Sequence, residues 1–225
     1  MLPSSTVENY LKAIYQGQLL LPADIRLVPM GQVAAALNVT PGTATTMVKA
    51  LAESDLAEYE PYSGVRLTPA GEKLAVLVLR RHRLVELFLV QVMGMSWAEV
   101  HDEAEQLEHV VSERLIERID EMLGRPTRDP HGDPIPTAEG AITPLHHQNL
   151  LTCPIDTPLR VTRIADQDPA FLRFIENNGL KPGQSIEVEA RDAAADSVKL
   201  RGRNRLSITI GARAASKLLV EVERS

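Results

Sequence analysis

Histidines and carboxylates are concentrated in residues 101–109, HDEAEQLEH, which contain two histidines and four acidic residues. On a helix, which turns about 100° per residue, one face would carry His101, Glu105, Glu108 and His109. Imidazole nitrogens and carboxylate oxygens are common ligands of divalent metal ions. At a rise of about 1.5 Å per residue, the two histidines are about 12 Å apart, whereas metal–ligand bonds measure about 2.0 to 2.6 Å. The segment therefore predicts half of each of two metal sites.

A second set of potential ligands precedes this segment, where His82 and Glu86 are spaced i, i+4 and share a helix face. In a helical hairpin this pair can face His101, which would give one site of nitrogen and oxygen ligands. Such a pair alone is more commonly a solvated or salt-bridged helix face. Two adjacent helices that both carry these residues, behind a helix-turn-helix, favour a metal site. The single cysteine, Cys153, excludes an intramolecular disulfide and a CxxC zinc motif.

The N-terminal third has the pattern of a winged helix-turn-helix. Apolar residues at helical spacing predict a first helix over 6–20 and a second over about Met30–Leu37. Thr40 can cap a third helix whose first residue is a proline, where the missing N–H is tolerated. Two short runs joined by PYSG then predict a hairpin in the position of a wing, over 56–60 and 65–68.

The middle of the chain predicts three further helices. The first, over about 69–93, has an apolar surface broader than a monomer requires, which favours a dimer interface. A capping box at Ser96 and Glu99 predicts that the next helix begins at Trp97. The third begins after Ser112 and ends at the Gly-Arg-Pro sequence that follows it.

The C-terminal part is rich in short β-forming runs, namely LRVTRI, SIEVEAR, SVKL, LSITI and LLVEV, with one helix over about Pro169–Asn178. This pattern is typical of a small SH3-like barrel. The predicted fold is mainly α with a small β part. Its predicted domains are a winged helix-turn-helix domain (1–75), a helical dimerisation and metal-binding domain (76–139), a linker (140–157) and an SH3-like β-barrel (158–225).

Composition restricts the possible classes of function. The chain has 225 residues, a net charge of -6 and 44% hydrophobic residues, as in an ordinary globular protein. No apolar run approaches the roughly 18 residues of a membrane span, and the N-terminus lacks the apolar stretch of a signal peptide. We therefore expect a cytoplasmic protein without a membrane partner. The negative charge gives no general reason to expect nucleic-acid binding, so that inference depends on the helix-turn-helix.

Three motifs resemble those of a known family: RRHRLVELFL, GMSWAEVHDEAEQLEH and DPHGDPIP. Placed behind a winged helix and ahead of an SH3-like tail, they resemble the metal-dependent repressors of the diphtheria-toxin-repressor and manganese-repressor family. The resemblance covers essentially the whole chain and is strongest over residues 65–137. It implies a homodimer in which Mn(II) or Fe(II), at about two sites per subunit, activates binding to double-stranded operator DNA. The implied role is repression of metal-uptake genes in manganese or iron homeostasis.

The resemblance also implies two ligand sets. The ancillary set is His82, Glu86 and His101, and the primary set is Asn9, Glu105, Glu108 and His109. Iron-responsive members typically have cysteine at the position of Glu105, so this carboxylate favours Mn(II). An iron-dependent regulator of the same family is the alternative.

Two residues of the first helix differ from the family pattern. Asn9 replaces a methionine or aspartate, although its amide oxygen can be a ligand. Lys12 stands where the manganese branch has a second carboxylate, and a protonated lysine cannot bind a metal ion. We therefore expect an ancillary site of the iron branch beside a manganese-leaning primary site that lacks a two-ion cluster.

The tail domain offers further candidate ligands, since family members can complete the ancillary site with oxygen atoms from it. The candidates are Asp166, Gln167 and Asp168. Asp168 precedes Pro169 and can instead cap the helix that starts there. Three histidines fall in predicted loops without a ligand set and are expected to be solvated: His131, His146 and His147.

The predicted DNA-facing residues lie at the start of the third helix and in the wing. They are Thr40, Gly42, Thr43, Thr46, Lys49 and Arg66. Residues 1–75 contain five basic and seven acidic residues, a net charge of -2. Arg66, together with Arg80 and Arg81, is therefore expected to supply positive charge, and the salt dependence of DNA binding is expected to be shallow.

In the implied mechanism, Glu105 and Glu108 repel each other without metal, and an ion bound between them and Asn9 holds the helix-turn-helix in one orientation. Two recognition helices of the dimer must fit major grooves about 34 Å apart. Two other classes remain open. A di-metal enzyme would use Glu-x-x-His twice in a four-helix bundle, a repeat that this chain lacks. The other class is a metal-independent regulator. The predicted function is a non-enzymatic repressor.

Overall fold

The computed structural model describes residues 4–22, 24–143, 148–202 and 207–223. Eight helices and eight strands lie within these residues. The chain divides into two compact units. Unit 1 comprises Met1–His82, Leu107–Ser112 and Pro136–Ala141, and unit 2 comprises Arg83–Gln106, Glu113–Ile135 and Ile142–Ser225.

Unit 1 contains the winged helix-turn-helix that the sequence predicts. Its elements are α1 (Ser5–Leu19), α2 (Met30–Ala36), α3 (Pro41–Glu53), β1 (Ala57–Glu60) and β2 (Gly64–Leu67). The Thr43 N–H donates to Thr40 Oγ1 at 3.2 Å, so Thr40 caps α3 as predicted. Leu11 and Ile14 of α1 and Val48 of α3 are buried in one apolar core. That core fixes α3 with its first turn exposed.

The wing is an antiparallel hairpin in which Glu58 pairs with Arg66 across β1 and β2. Gly64 has φ +147° and lies against the backbone of Val28, where a Cβ atom would come within 2.4 Å of the Val28 carbonyl oxygen. Val28 and Val65 form a β-bridge at this point. A larger residue at position 64 would clash with Val28, so glycine lets the wing pack this closely against the segment before α2.

Helix α4 (Pro69–Gln91) begins in unit 1 and continues into unit 2 after His82. Most of its residues from Ala75 to Leu89 are buried, including charged ones. The broad apolar surface from which the sequence predicts a dimer interface is thus largely covered within the chain.

Helix α5 (Val100–Leu107) is shorter at both ends than the sequence predicts. The Ser96 hydroxyl bonds to the Glu99 carboxylate, and residues 97–99 form a turn, so the predicted start at Trp97 is wrong. At the other end the Val110 and Val111 amides both donate to the Leu107 carbonyl. Residues 108 and 109 therefore lie in a turn and do not extend the helix face assumed from the sequence.

Unit 2 contains the rest of α4 and most of α5, then α6 (Glu113–Met122), and the β-rich tail. The tail consists of β3 (Gln148–Asn149), β4 (Leu159–Ile164), α7 (Pro169–Asn177), β5 (Ser185–Asp192), β6 (Ser197–Gly202), β7 (Ser207–Gly211), α8 (Ala212–Ala215) and β8 (Leu218–Val222). Its six strands form one antiparallel sheet in the order β3-β8-β4-β5-β6-β7. The five predicted strands and the predicted helix are all present. The small SH3-like β domain is thereby confirmed.

The predicted tether over 140–157 is wrong for its second half. β3 pairs with β8, and Leu150 and Cys153 are buried in the apolar core of the sheet. Arg191 Nε donates to the Leu150 carbonyl at 2.8 Å, which fixes this segment to β5. The missing periodicity reflects a strand of only two residues, which is too short to show alternation.

Membrane insertion finds no support in the helices: none of the described ones combines the length and hydropathy that a bilayer-spanning segment needs.

Candidate metal centres

Within the described residues, each unit contains a buried group of histidines and carboxylates. The group in unit 1, here called the Glu108 centre, consists of Glu8, Lys12, Arg81, His82, Glu108 and His109. The group in unit 2, here called the Glu86 centre, consists of Glu86, His101, Asp129 and His131.

In the Glu108 centre, both oxygens of the fully buried Glu108 carboxylate are bound by side chains. The Lys12 Nζ donates to Oε1 at 2.7 Å, and His82 Nδ1 lies 2.6 Å from Oε2. His109 Nε2 is 3.4 Å from Oε1. Lys12 lies on α1 one turn after Glu8, so the ammonium group links α1 to the turn that follows α5.

A second link runs through Glu8, which the sequence analysis did not single out. Arg81 Nη2 donates to Glu8 Oε1 at 2.5 Å, and His109 Nδ1 lies 2.6 Å from Glu8 Oε2. All three side chains are buried or nearly so. The i, i+4 spacing of Glu8 and Lys12 was visible in the sequence, but such pairs usually lie in solvent.

The permanent charges of the Glu108 centre balance, because two carboxylates face one ammonium and one guanidinium group. Burial alone would raise the pKa of Glu108, but the hydrogen bond from His82 and the charges of Lys12 and His82 outweigh burial and lower this pKa. The carboxylate is therefore held ionised by cations of the protein itself.

Two donor atoms of the predicted primary set are buried without a hydrogen-bond partner among the described residues. They are Asn9 Oδ1 and His109 Nε2. Such atoms fit metal ligands, because leaving them unsatisfied is costly. The neighbouring Lys12 ammonium does not fit, since it already contacts Glu108. The residues present at the Glu108 centre therefore do not fit a divalent ion while Lys12 is charged.

The Glu86 centre is built around a carboxylate that is fully buried on α4. Its Oε1 lies 3.2 Å from His101 Nδ1 on α5, and its Oε2 lies 3.8 Å from His131 Nδ1. Ligand atoms of Glu86, Asp129 and His131 lie within 4.8 Å of one another, and all three residues are buried. This arrangement could hold a metal ion with nitrogen and oxygen ligands.

The loop that carries Asp129 and His131 is tightly ordered. Asp129 Oδ1 accepts hydrogen bonds from the backbone N–H groups of His131 at 2.9 Å and Asp133 at 2.8 Å. Gly132 has φ +88°, and a Cβ there would come within 2.0 Å of the Thr162 carbonyl oxygen on β4. The Ile164 N–H donates to the His131 carbonyl at 2.8 Å. The loop therefore depends on glycine for its close contact with the sheet.

His131 is one of the residues that the sequence analysis placed wrongly. It was expected to be solvated, but it is fully buried, and its ring packs edge-on against Trp97 with centroids 5.3 Å apart. The motif DPHGDPIP places it between two aspartates and before a glycine, a pattern that could have indicated an ordered loop. His146 and His147 lie outside the described residues.

Negative charge exceeds positive charge at the Glu86 centre. Arg83 Nε lies 3.7 Å from Asp129 Oδ2, and Arg163 Nε lies 2.7 Å from Oδ1 of the neighbouring Asp133. Burial, Asp133 and Glu86 all raise the pKa of Asp129 well above its ordinary value, against a smaller opposite effect of Arg83. A bound divalent cation would relieve this repulsion, so the residues present fit a metal ion.

The other predicted ligands have contacts of their own. Glu105 Oε1 is 3.8 Å from His101 Nε2, one helical turn away on α5. Asp166 forms an ion pair with Lys217, and Asp168 caps α7 by accepting from the Phe171 N–H at 2.9 Å. Gln167 is half-buried. The capping alternative for Asp168 is thus the one observed, and neither Asp166 nor Asp168 joins a ligand cluster among the described residues.

The predicted DNA-facing residues of α3 are exposed on one end of that helix: Thr40, Gly42, Thr43, Thr46 and Lys49. Arg66 in the wing is partly exposed and forms an ion pair with Glu58 at 2.5 Å. Arg80 and Arg81 cannot supply the expected positive charge to DNA in this conformation. Both are buried, with Arg80 donating to the Pro136 carbonyl at 2.9 Å and Arg81 binding Glu8.

Comparison with protein families matches nearly the whole chain in three segments. Residues 3–65 match the N-terminal DNA-binding domain of iron-dependent repressors, and residues 68–137 match their metal-binding and dimerisation domain. Residues 148–222 match the FeoA domain. The order of these segments is that of the elements described above.

Individual relatives agree with these segments. The diphtheria toxin repressor of Corynebacterium efficiens is 35% identical over 132 residues, which are 58% of this chain and 55% of that protein. The iron-dependent repressor IdeR of Mycobacterium tuberculosis is 28% identical over 216 residues, 90% of this chain and 92% of that protein. A solved structure of a manganese-dependent transcriptional repressor in complex with manganese has a TM-score of 0.87 and 36% identity, and covers 96% of this chain and 100% of its own.

Proposed function

This chain belongs to the iron-dependent repressor family, and we propose that it is a transcriptional repressor whose binding to operator DNA requires a divalent cation. The cation is Mn(II) or Fe(II), and the regulated genes serve manganese or iron uptake. The protein has no catalytic activity of its own in this proposal. Relatives named as iron-dependent and manganese-dependent repressors support it, as do the exposed recognition helix and the buried ligand groups.

The observation that carries the proposal is the charge of the Glu86 centre. Glu86, Asp129 and the adjacent Asp133 are buried, and Arg83 and Arg163 form ion pairs with the two aspartates. Buried carboxylates that repel one another are unfavourable, and a bound cation would offset this repulsion. The raised pKa of Asp129 has the same physical origin.

Within the proposal, Glu86, His101, Asp129 and His131 hold the ion. A bound divalent ion supplies positive charge that compensates these carboxylates. Trp97 packs on His131 and fixes its ring, and the Asp129 hydrogen bonds fix the loop. Asp129 and His131 are therefore held in position before an ion binds.

The ligand types restrict the choice of metal. Carboxylate and imidazole groups without a thiolate suit Mn(II) and Fe(II), whereas soft ligands would favour Cu(I) or Zn(II). Glu105, next to His101 on α5, adds a further hard oxygen near the site. These features favour Mn(II), and Fe(II) is the alternative within the same proposal.

Helix α3 is the proposed reading element. Its first two turns expose threonine hydroxyl and methyl groups, and the Lys49 ammonium is exposed farther along the helix; these groups can contact bases and phosphates. No arginine or glutamine lies at this end of α3 for bidentate base contacts, so DNA shape contributes to the preference. A homodimer would place two such helices in major grooves about 34 Å apart.

The test is a titration of DNA binding by fluorescence anisotropy, using a fragment selected from random DNA in the presence of Mn(II). We expect binding with Mn(II) or Fe(II) to be stronger than in chelator by on the order of a hundredfold. Zn(II) serves as the comparison ion. Full binding in chelator would reject metal activation, and an absence of DNA binding under all conditions would reject the repressor.

A further inference from the structure

Lys12 contributes its ammonium group to the Glu108 centre, for which the family resemblance implies a divalent ion. Its Nζ is 2.7 Å from Glu108 Oε1, and its side chain is 7% exposed. The partner carboxylate is fully buried, and its second oxygen is bound by His82. A charged lysine so placed is already compensated, so no further cation is needed to stabilise Glu108.

We propose that the Lys12 ammonium permanently replaces the divalent ion of the Glu108 centre, so that the protein binds regulatory metal only at the Glu86 centre. The inference rests on the proposed function and narrows its metal requirement. It follows that α1 is held to Glu108 in the absence of metal. The ion pair of Glu8 with Arg81, and the contact of Glu8 with His109, supply a second metal-independent link in the same unit.

Displacement of Lys12 by a divalent ion is unfavourable for two reasons. The ammonium would have to leave a buried carboxylate, or lose its proton, before Glu108 Oε1 could bind the ion. Lys12 is also buried, so a new rotamer would have to find room within the packed interior of unit 1. The ammonium therefore excludes the metal by both charge and volume.

The same geometry predicts what happens when the charge is removed. Without the ammonium, Glu108 keeps its carboxylate, and Asn9 Oδ1 and His109 Nε2 are buried donor atoms without hydrogen-bond partners among the described residues. These three groups offer oxygen and nitrogen ligands of the kind that Mn(II) accepts. Lys12→Met, which keeps the length of the side chain and removes its charge, should therefore create a metal site.

The experiment measures Mn(II) bound per subunit of the full-length protein after equilibrium dialysis, by atomic emission. We expect about one Mn(II) for the wild-type protein and for Glu108→Gln, and about two for Lys12→Met. Lys12→Arg is the matched control that keeps the charge, and it should bind about one. Hydrogen exchange of α1 in chelator should be slow in the wild type and faster in Lys12→Met until Mn(II) is added.

The outcomes separate this inference from the proposed function. About two Mn(II) in the wild type, with one lost in Glu108→Gln, would overturn the inference while leaving a metal-dependent repressor. Loss of the only wild-type Mn(II) in Glu108→Gln would also overturn it, and so would about two in Lys12→Arg. If Lys12→Met does not fold, the comparison of wild type with Glu108→Gln still decides. A wild-type protein whose DNA binding ignores Mn(II) would instead reject the proposed function.

Discussion

The Glu108 centre and the Glu86 centre are built from similar residues but differ in the source of their positive charge. Each has a fully buried glutamate with histidines in contact. In the Glu108 centre, Lys12 and Arg81 match the two carboxylates. In the Glu86 centre and its surroundings, three carboxylates face two arginines. The difference teaches that a ligand set alone does not define a metal site, because the protein can provide the cation.

The two centres also differ in how the chain assembles them. The Glu108 centre joins α1 to a turn 96 residues later through long flexible side chains. The Glu86 centre joins α4, α5 and a loop held by backbone hydrogen bonds. Rigid supports suit a site that must hold a geometry for one ion. Flexible cationic side chains suit a permanent link.

The largest expected effect separates the centres directly. Glu86→Gln keeps the shape of the side chain and removes its charge, so metal-stimulated DNA binding should fall by on the order of a hundredfold or more. The measurement is the anisotropy titration with Mn(II), with circular dichroism to verify the fold. Glu105→Gln on α5 is the matched control, and its effect should be smaller because Glu105 is partly exposed. Equal losses in the two variants would contradict the placement of the site at Glu86.

The excess of negative charge at the Glu86 centre predicts how the stability of the folded protein changes with pH. The folded-state pKa of Asp129 is raised, so its contribution to stability is fully present below the unfolded value near 3.8 and is lost as pH rises through the folded pKa. In chelator, Asp129→Asn should therefore be more stable than the wild type at pH 8, by on the order of 1 to 3 kcal/mol.

This gain should shrink toward zero as the pH approaches 4, and in Mn(II) it should reverse because the variant loses a ligand. Urea unfolding at several pH values, with and without Mn(II), measures both effects. A gain that stays constant with pH would show that repulsion at Asp129 is not its cause.

How much of the fold and of the two centres can be predicted from the sequence depends on how far apart in the chain the contacting residues lie. Thr40 and the proline after it predicted the start of α3 correctly, because a cap is a contact between near neighbours. His82 and Glu86 were found through helical spacing, which is also local. The predicted start of α5 was wrong although Ser96 and Glu99 have the spacing of a capping box; in the structure their side chains bind each other.

Long-range contacts account for what the sequence analysis missed. The sequence around Lys12 does not show that its partner is Glu108, which lies 96 residues away. From the sequence alone, Lys12 therefore only weakens the predicted metal site, and its ion pair with Glu108 cannot be foreseen. The sequence predicts a solvated His131 because the burial of this loop residue depends on contacts with Trp97 and β4, which are distant in the chain. Burial and charge balance arise from packing between distant segments, which residue types and spacing do not encode.

The support of the Glu86 loop gives a prediction of intermediate size. Gly132→Ala places a Cβ against the Thr162 carbonyl at a positive φ, so the loop must move and carry Asp129 and His131 with it. Mn(II) affinity should fall by on the order of tenfold, measured by calorimetry. Gly124→Ala is the control, since Gly124 also has positive φ but no atom near its Cβ position. A similar loss in both variants would assign the effect to backbone strain alone.

The smallest expected effect concerns the Glu108 centre and has the opposite pH sign to that of Asp129. The pKa of Glu108 is lowered, so its contribution to stability is present above the unfolded value near 4.5 and is lost as pH falls through the folded pKa. In chelator, Glu108→Gln should be less stable than the wild type near pH 7 by on the order of 1 kcal/mol, and the difference should narrow below pH 4. Urea unfolding followed by circular dichroism measures it. Because Lys12 supplies the cation, the difference at pH 7 should be the same with and without Mn(II), whereas a difference that grows in Mn(II) would mean that Glu108 binds the ion.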